Sequence, residues 1–277
     1  MYLCVTMLRR GFVIEKAGSE GPEFSITIGG RKIWFEAIAP GAGTTDDQVP
    51  DFDFEQTSSV PTEKVLMRYT AALSAKLSKY HIDRKKGIIS ENDIYIVAIN
   101  SNKIPYASFG SILPLPYYVQ AILPFGPLTV AINPKTPEKV DEYFQYRGEV
   151  KNKNDNPVST NAFLDPAYCG ISAVIHSAFD VAGYAYGNAR WGDDFDVLHN
   201  PLATNPLPFE ALNWCKYRYI HDGKLETVDG HFKPPPINEG NLIKNCLSNT
   251  ELRNDPDGWA HREAYKVLDE LRHSKKS

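Results

Sequence analysis

Residues 24–38 read FSITIGGRKIWFEAI and contain the clearest local pattern in the chain. Strict alternation of apolar and polar residues is typical of a β-strand with one buried face. Two glycines between alternating runs suit a two-residue primed turn, because both central positions need a positive φ. The stretch therefore predicts a β-hairpin around Gly29-Gly30. Its apolar face is formed by Phe24, Ile26 and Ile28 before the turn, and by Ile33, Phe35, Ala37 and Ala39 after it.

Two carboxylates fall on the other face of this hairpin. With Gly29-Gly30 as the loop, Glu23 lies directly opposite Glu36. A four-residue loop would move Glu36 opposite Ser25, but both acids would keep the same face, since a slip of two residues preserves facing. Like charges this close destabilise each other unless a cation lies between them or one is protonated. We therefore expect Glu23 and Glu36 to hold Mg²⁺ or Mn²⁺, the alternative being the solvated face of an ordinary hairpin.

Helices and further strands are predicted on both sides of the hairpin. Residues 2–10 read as a helix, 12–14 as a short strand, 61–80 as a helix and 94–100 as a central strand that is covered on both faces. Farther along the chain we expect a helix at 117–123, strands at 128–132 and 170–177, and a helix over the last ~15 residues. The pattern indicates an α/β fold with a mixed central β-sheet flanked by helices, in a single domain over residues 1–277.

Two short motifs accompany this order of elements, Gly21-Pro22-Glu23-Phe24 and Trp34-Phe35-Glu36-Ala37-Ile38. Together they resemble the core of the PD-(D/E)XK, or restriction-endonuclease-like, nuclease superfamily, over roughly residues 1–100. The resemblance implies a restriction-endonuclease-like core, which we place at residues 1–135, followed by an extension over 136–277. It also implies that Glu23 and Glu36 are the metal-binding acids, with Mg²⁺ or Mn²⁺ as the cofactor. The family's lysine, two residues after the second acid, is replaced by Ile38.

A lysine on the predicted helix could take over that role. At about 100° per residue, Lys76 falls inside the apolar stripe of the helix, so it faces the core side. The resemblance implies that a basic residue from this helix can replace the strand lysine, which makes Lys76 the third predicted catalytic residue. The alternative is that Lys76 covers apolar neighbours with its methylenes and extends its ammonium to water.

Basic residues on and after this helix are candidates for contacts with phosphates. Clusters of this kind are also common on solvated surfaces. The chain carries a formal net charge of −4, which excludes a protein that coats nucleic acid without specificity. Any nucleic-acid site must be a local patch, which we predict at Arg68, Lys79, Lys85 and Lys86.

Several other classes of protein are excluded by missing motifs. The four cysteines lie far apart without a C-x-x-C pair, so neither a zinc site nor a disulfide framework is expected. The chain has neither a phosphate-binding loop nor a dinucleotide fingerprint, and its serines lack the nucleophile elbow of hydrolases. Residues 1–8 are followed, not preceded, by basic residues, unlike a signal peptide, and no stretch is apolar enough for a membrane span. We expect a cytoplasmic protein without a membrane partner.

Two functions follow from this sequence. The leading hypothesis is a metal-dependent phosphodiesterase that acts on DNA or RNA through Glu23, Glu36 and Lys76. The alternative is a noncatalytic binding module on the same fold, which the replacement of the strand lysine by Ile38 favours. The half over residues 136–277 has three open roles: extension of the sheet, a homodimer surface, or recognition of the target.

Overall fold

The structure is a computed structural model that describes residues 2–18, 20–44, 46–53, 55, 59–179 and 192–230. Its centre is one mixed sheet of eight strands flanked by few helices, so the predicted α/β class with a mixed sheet is confirmed. Within the described ranges, no helix combines the length and hydropathy needed to cross a bilayer. The helix predicted for the last ~15 residues lies outside the described residues.

The first half of the sheet comes from a continuous run of elements. In chain order these are α1 (Tyr2–Arg9), β1 (Glu15–Lys16), β2 (Phe24–Ile28), β3 (Arg31–Ile38), α2 (Thr62–Lys85) and β4 (Ile94–Asn100). The prediction of a strand at 12–14 was wrong, because only Glu15 and Lys16 pair with β2. Both of those side chains are exposed, so the sequence of this edge strand does not show the alternation of apolar and polar residues by which a strand is predicted.

The hairpin forms in the predicted register. Phe24 pairs with Phe35, Ile26 with Ile33 and Ile28 with Arg31. Gly29 and Gly30 have φ of 57° and 77°, the left-handed conformation that a primed turn requires.

Helix α2 covers one face of the sheet and runs farther than predicted. The apolar stripe ends at Tyr80, but the helix continues to Lys85. The added turn is held by an ion pair between Lys79 and Asp83, and the chain leaves the helix at Gly87, whose φ is 73°. Strand β4 is buried along almost its whole length, as expected of a central strand.

The second half of the chain completes the same sheet. Its elements are α3 (Tyr117–Ile122), β5 (Phe125–Ile132), β6 (Lys139–Tyr146), β7 (Glu149–Lys151), β8 (Pro157–Ser159), β9 (Ala173–Ser177), β10 (Asp196–His199), β11 (Lys216–His221) and β12 (Lys224–Val228). Short 3₁₀ helices lie at Ala107–Ile112, Ala162–Leu164, Pro166–Tyr168 and Phe209–Leu212. The strand predicted at 128–132 exists, but it pairs with β6 in a separate two-stranded sheet, as β7 does with β8.

The strand order of the main sheet joins the two halves of the chain. The order is β1-β2-β3-β4-β9-β10-β11-β12, and β9 lies parallel to β4. Of the three roles open for residues 136–277, extension of the sheet is therefore realised. Side chains on one face of the sheet pack against α2 and α3, and those on the other face pack against α1.

Candidate functional site

Glu36 is the carboxylate around which the first polar cluster is built. It lies on β3, on the face that α2 covers, and only 1% of the residue is exposed. Lys76 donates a hydrogen bond to Glu36 Oε1, and Lys79 Nζ lies 3.4 Å from Oε2. Lys76 thus points to the core side of α2, as its place in the apolar stripe predicted. A lysine that only covered apolar neighbours would not make this contact.

Lys79 connects three parts of the cluster. Its Nζ donates to Asp83 Oδ2 and to the backbone oxygen of Gly21, each at 2.7 Å. Burial by itself would lower the pKa of Lys79, but the hydrogen bond to Asp83 and the charge of Glu36 outweigh that effect, so the pKa is raised. Lys79 therefore stays protonated and ties the turn before β2 to the helix.

Two polar atoms of this cluster have no hydrogen bond among the described residues. Both the Tyr95 hydroxyl and Glu36 Oε2 are buried and lack a hydrogen-bond partner there. Burial raises the pKa of Tyr95, and the negative charges of Glu36 and Asp83 raise it further. The ammonium groups of Lys76 and Lys79 balance the carboxylates of Glu36 and Asp83. The cluster is thus neutral, and Glu36 Oε2 is a buried carboxylate oxygen whose only described contact with a charged group is the one to Lys79.

Glu23 does not lie where the ideal hairpin would place it. Strand β2 begins at Phe24, and the backbone N–H of Glu23 donates to Phe35 O at 3.0 Å instead of pairing with Glu36. The ladder ends at the pair Phe24–Phe35, and Gly21, three residues before Phe24, has a φ of 110° that disfavours any residue with a side chain. The prediction that Glu23 lies directly opposite Glu36 was wrong. The Glu23 side chain is exposed, and no ion pair of it is found within the described residues.

The four residues predicted to contact nucleic acid do not form one patch. Arg68 donates from Nε to Gly41 O at 2.9 Å, and Lys79 belongs to the Glu36 cluster. Lys85 and Lys86 are exposed at the end of α2, where Lys86 pairs with Glu20. Seventeen residues of helix, about 25 Å, separate Arg68 from Lys85. Of the four, only Lys85 and Lys86 lie on an exposed surface.

The described residues offer few ligands for Mg²⁺. Within the described residues, no group of three or more acidic, histidine or cysteine side chains could hold a metal. Mg²⁺ often keeps several waters and takes only one or two carboxylates, together with substrate phosphates. Of the two predicted ligands, Glu23 is exposed, whereas Glu36 Oε2 lacks a hydrogen bond but is buried, 3.4 Å from Lys79 Nζ. Ile38 packs against the apolar core and offers no ligand.

A second polar cluster lies on the same face of the sheet, near the end of β9. His176 Nε2 is 2.9 Å from Ser101 Oγ and 3.2 Å from the Tyr69 hydroxyl. Next to it, Arg218 Nε donates to both carboxylate oxygens of Asp196, at 2.9 and 3.2 Å. His176 is therefore a hydrogen-bonded histidine of the core.

The ion pair between Asp196 and Arg218 was not predicted, although the sequence carries a signal for it. Asp196 stands in the otherwise apolar run of β10, and Arg218 stands between tyrosines on β11. A charged residue at an inward position of a strand needs a partner. Lys79 and Asp83 carried a similar signal, because residues four apart on a helix are neighbours.

Buried histidines should make the fold sensitive to acid. Burial lowers the pKa of His176 to about 3, with the charge of Arg218 adding to the effect, and burial lowers the pKa of His199 to about 4. Histidines of the unfolded chain titrate near 6.5, so below that pH the unfolded state binds more protons than the folded state. The free energy of unfolding should therefore fall as the pH drops from about 6.5 toward 4, by up to about 1.4 kcal/mol per pH unit for each histidine.

Urea unfolding at pH 7, 6 and 5 measures this dependence. His176→Gln keeps a polar side chain but removes the titration, so its stability should fall less steeply with acid than that of the unmodified protein. His81→Gln, at an exposed position on α2, is the matched control and should keep the original slope. Equal slopes for all three proteins would show that His176 does not contribute.

Comparison with known proteins gave no relative of this chain. No family model, no curated protein and no solved structure matched it.

Proposed function

We propose that this protein is a metal-dependent phosphodiesterase that acts on nucleic acid, DNA or RNA, with Glu36 and Lys76 at the centre of its site. The observation that carries the proposal is the contact between Lys76 and buried Glu36. A helix lysine beside the second acid is what the nuclease family's chemistry needs when the strand lysine is missing. The order of elements from α1 to β4 also supports a restriction-endonuclease-like core, because it is the helix, strand, hairpin, helix and strand order on which the resemblance rests.

The residues of the chain have distinct tasks in this proposal. Glu36 and Glu23 would hold Mg²⁺ or Mn²⁺, which when bound polarises the phosphate and lowers the pKa of its water. Lys76 stabilises negative charge that develops on the phosphate, since its ammonium is already held beside Glu36. Lys79 positions the turn that carries Glu23 through its bond to Gly21. Lys85 and Lys86 offer exposed positive charge for the nucleic-acid backbone.

Cleavage of labelled single-stranded and double-stranded DNA and RNA with Mg²⁺ or Mn²⁺ tests the proposal. Glu36→Gln should lower the rate at least about 100-fold, because it removes charge from the metal-binding oxygens. Glu23→Gln should also lower the rate and should weaken metal binding measured by calorimetry. Glu149→Gln, at an exposed strand position far along the chain, is the matched control and should cleave normally.

One observation favours a second function, a noncatalytic binding module on the same fold. Lys76 and Lys79 both form ion pairs with Glu36, whose side chain is 2% exposed. Buried ion pairs of this kind can hold a helix on a sheet without any role in catalysis. In that case the protein would neither bind Mg²⁺ or Mn²⁺ in calorimetry nor cleave any of the four substrates. That joint result would contradict the phosphodiesterase and direct the search to binding partners, including a second copy of the chain.

The cytoplasm is the proposed location. Cys169 and Cys215 carry free thiols, which a reducing compartment preserves.

A further inference from the structure

Five aromatic side chains lie close together on one face of the main sheet, where β10 and β11 pair. They are His199 of β10, Phe209 of the 3₁₀ helix Phe209–Leu212, and Tyr217, Tyr219 and His221 of β11. The ring centroid of Phe209 lies 4.6 Å from that of His199, 5.3 Å from that of Tyr217 and 5.0 Å from that of Tyr219. The rings of Tyr219 and His221 lie 6.4 Å apart. We call these five residues the aromatic row.

The aromatic row lies on the same face of the sheet as α1 and is open to solvent. Tyr217 packs against the core on the side of α1, and every second residue of a strand shares its face, which places Tyr219 and His221 there as well. Phe209 is 43% exposed, His221 is exposed, and the two tyrosines are half-buried. Exposed apolar patches of this kind are typical of binding surfaces.

Glu226 of β12 adds a carboxylate to the aromatic row. It is paired with Tyr219 across the β11–β12 ladder, so its side chain stands beside that ring on the same face. Glu226 is half-buried, and among the described residues its carboxylate has neither a hydrogen bond nor an ion pair. A partly buried carboxylate without a donor favours a positively charged partner.

The other charges at the aromatic row are mostly negative. Asp222 Oδ2 lies 3.5 Å from His221 Nε2, and Glu210 is exposed in the 3₁₀ helix that contributes to the row. Lys224, which is paired with His221, is the one lysine that β11 and β12 place on this face. Burial lowers the pKa of His199 to about 4, so that ring is neutral at pH 7. Together with the carboxylate of β12, three acids stand against one lysine, a balance that disfavours nucleic acid and favours a cation.

Strand β12 also offers a backbone edge beside the aromatic row. Within the described residues β11 is its only strand neighbour, so the outer edge of β12 has N–H and C=O groups that no strand pairs there. An extended peptide can add to such an edge, and every second side chain of the peptide then falls on the face of the row. Side chains at paired positions of neighbouring strands lie about 5 Å apart, which brings a peptide side chain within reach of Glu226.

Arginine is the side chain that matches both features of this surface. Its planar guanidinium stacks on the face of a tyrosine ring, and it also forms two parallel hydrogen bonds to a carboxylate. Lysine carries the same charge as a single point and lacks this planar group. Aromatic rings next to an unpaired carboxylate therefore favour arginine over the other cationic side chain.

We propose that the edge of β12 and the aromatic row together bind an extended peptide of a partner protein, in which arginines alternate with other residues. The peptide backbone extends the sheet beside β12, and an arginine stacks on Tyr219 and pairs with Glu226. The surface lies on the opposite face of the sheet from Glu36, so the proposal does not depend on phosphodiesterase activity.

Fluorescence anisotropy with labelled peptides and the full chain tests the proposal. The capped peptide Arg-Thr-Arg-Thr-Arg should bind in a one-to-one ratio. Its citrulline version, which keeps the shape of arginine but loses the charge, should bind at least about tenfold more weakly. The reordered peptide Arg-Arg-Arg-Thr-Thr has the same charge without the alternation and should bind at least about threefold more weakly. The proposal is overturned if the first peptide does not bind saturably, or if either comparison peptide binds as tightly.

Variants then locate the binding. Glu226→Gln keeps the size of the side chain and removes its charge, and Tyr219→Ala removes the central ring; each should weaken peptide binding at least about threefold. Glu149→Gln and Tyr146→Ala are the matched controls, because both residues are exposed and lie outside the main sheet. Unchanged binding by Glu226→Gln would overturn the proposal, even if Tyr219→Ala proved unstable.

Two other kinds of ligand can stack on aromatic rings and are tested in the same way. Oligouridine represents single-stranded nucleic acid and cellohexaose represents a sugar chain. Neither should compete with the labelled arginine peptide. Tighter binding of oligouridine or cellohexaose than of the peptide, lost in Tyr219→Ala, would overturn the proposal, since the aromatic row would then serve bases or sugars.

Discussion

Replacing Lys76 with methionine is expected to lower metal-dependent cleavage by about 100- to 1,000-fold. Methionine has nearly the same length and fills the same space, so the change removes the ammonium group beside Glu36 and little else. The lost group is the one placed to stabilise negative charge on the phosphate, so kcat should fall more than the affinity for nucleic acid. Lys79 remains 3.4 Å from Glu36 Oε2, and the protein should therefore stay folded.

The rate of cleavage and the circular dichroism spectrum of the variant should be measured side by side. Lys224→Met is the matched control, because Lys224 is exposed at the start of β12, on the opposite edge of the sheet. Lys76→Arg should recover part of the activity if a positive charge is what matters. Unchanged kcat in a folded Lys76→Met protein would remove Lys76 from the site.

Replacing Arg218 with methionine is expected to lower the free energy of unfolding by about 3–5 kcal/mol at pH 7. The substitution leaves the carboxylate of Asp196 buried without its ion-pair partner. Burial already raises the pKa of Asp196 against the opposing charge of Arg218, so the loss of that charge should raise it further. The variant should then recover part of its deficit in acid, where Asp196 takes up a proton.

Urea unfolding at pH 7 measures the effect. The double variant with Asp196→Asn added should regain much of the loss, since it removes the unpaired charge. Lys86→Met is the matched control: its ion pair with Glu20 is exposed, so its loss should cost no more than about 1 kcal/mol. A loss of that small size for Arg218→Met would contradict the view that Asp196 depends on Arg218.

The parts of the fold that were predicted well are those that short-range patterns determine. The hairpin register follows from alternation and from a glycine turn, both contained within residues 24–38. The apolar run 94–99 predicts a strand covered on both faces, and the structure has this strand as β4. In each case neighbouring residues carry enough information, because period and turn type are local properties.

The parts that were predicted wrongly depend on a partner elsewhere in the chain. Strand β1 is set by pairing with β2, and its exposed residues carry no alternation. Glu23 lies outside the ladder, next to a turn whose Gly21 carbonyl accepts a hydrogen bond from Lys79 on the helix. Strand β5 pairs with β6 in a second sheet, and the sequence of β5 does not indicate which strand it will pair with.

Local patterns in the sequence are enough to predict the α/β class, the central hairpin and the inward face of α2 on which Lys76 lies. Which charges meet depends on the tertiary structure: Lys76 meets Glu36, 40 residues apart, and Arg218 meets Asp196, 22 residues apart. A hydrophobic period shows to which side of an element a side chain points, but it does not show which group of another element lies there. That partner is set by how helix and strands pack, and burial then makes each pairing obligatory because an unpaired charge is costly there.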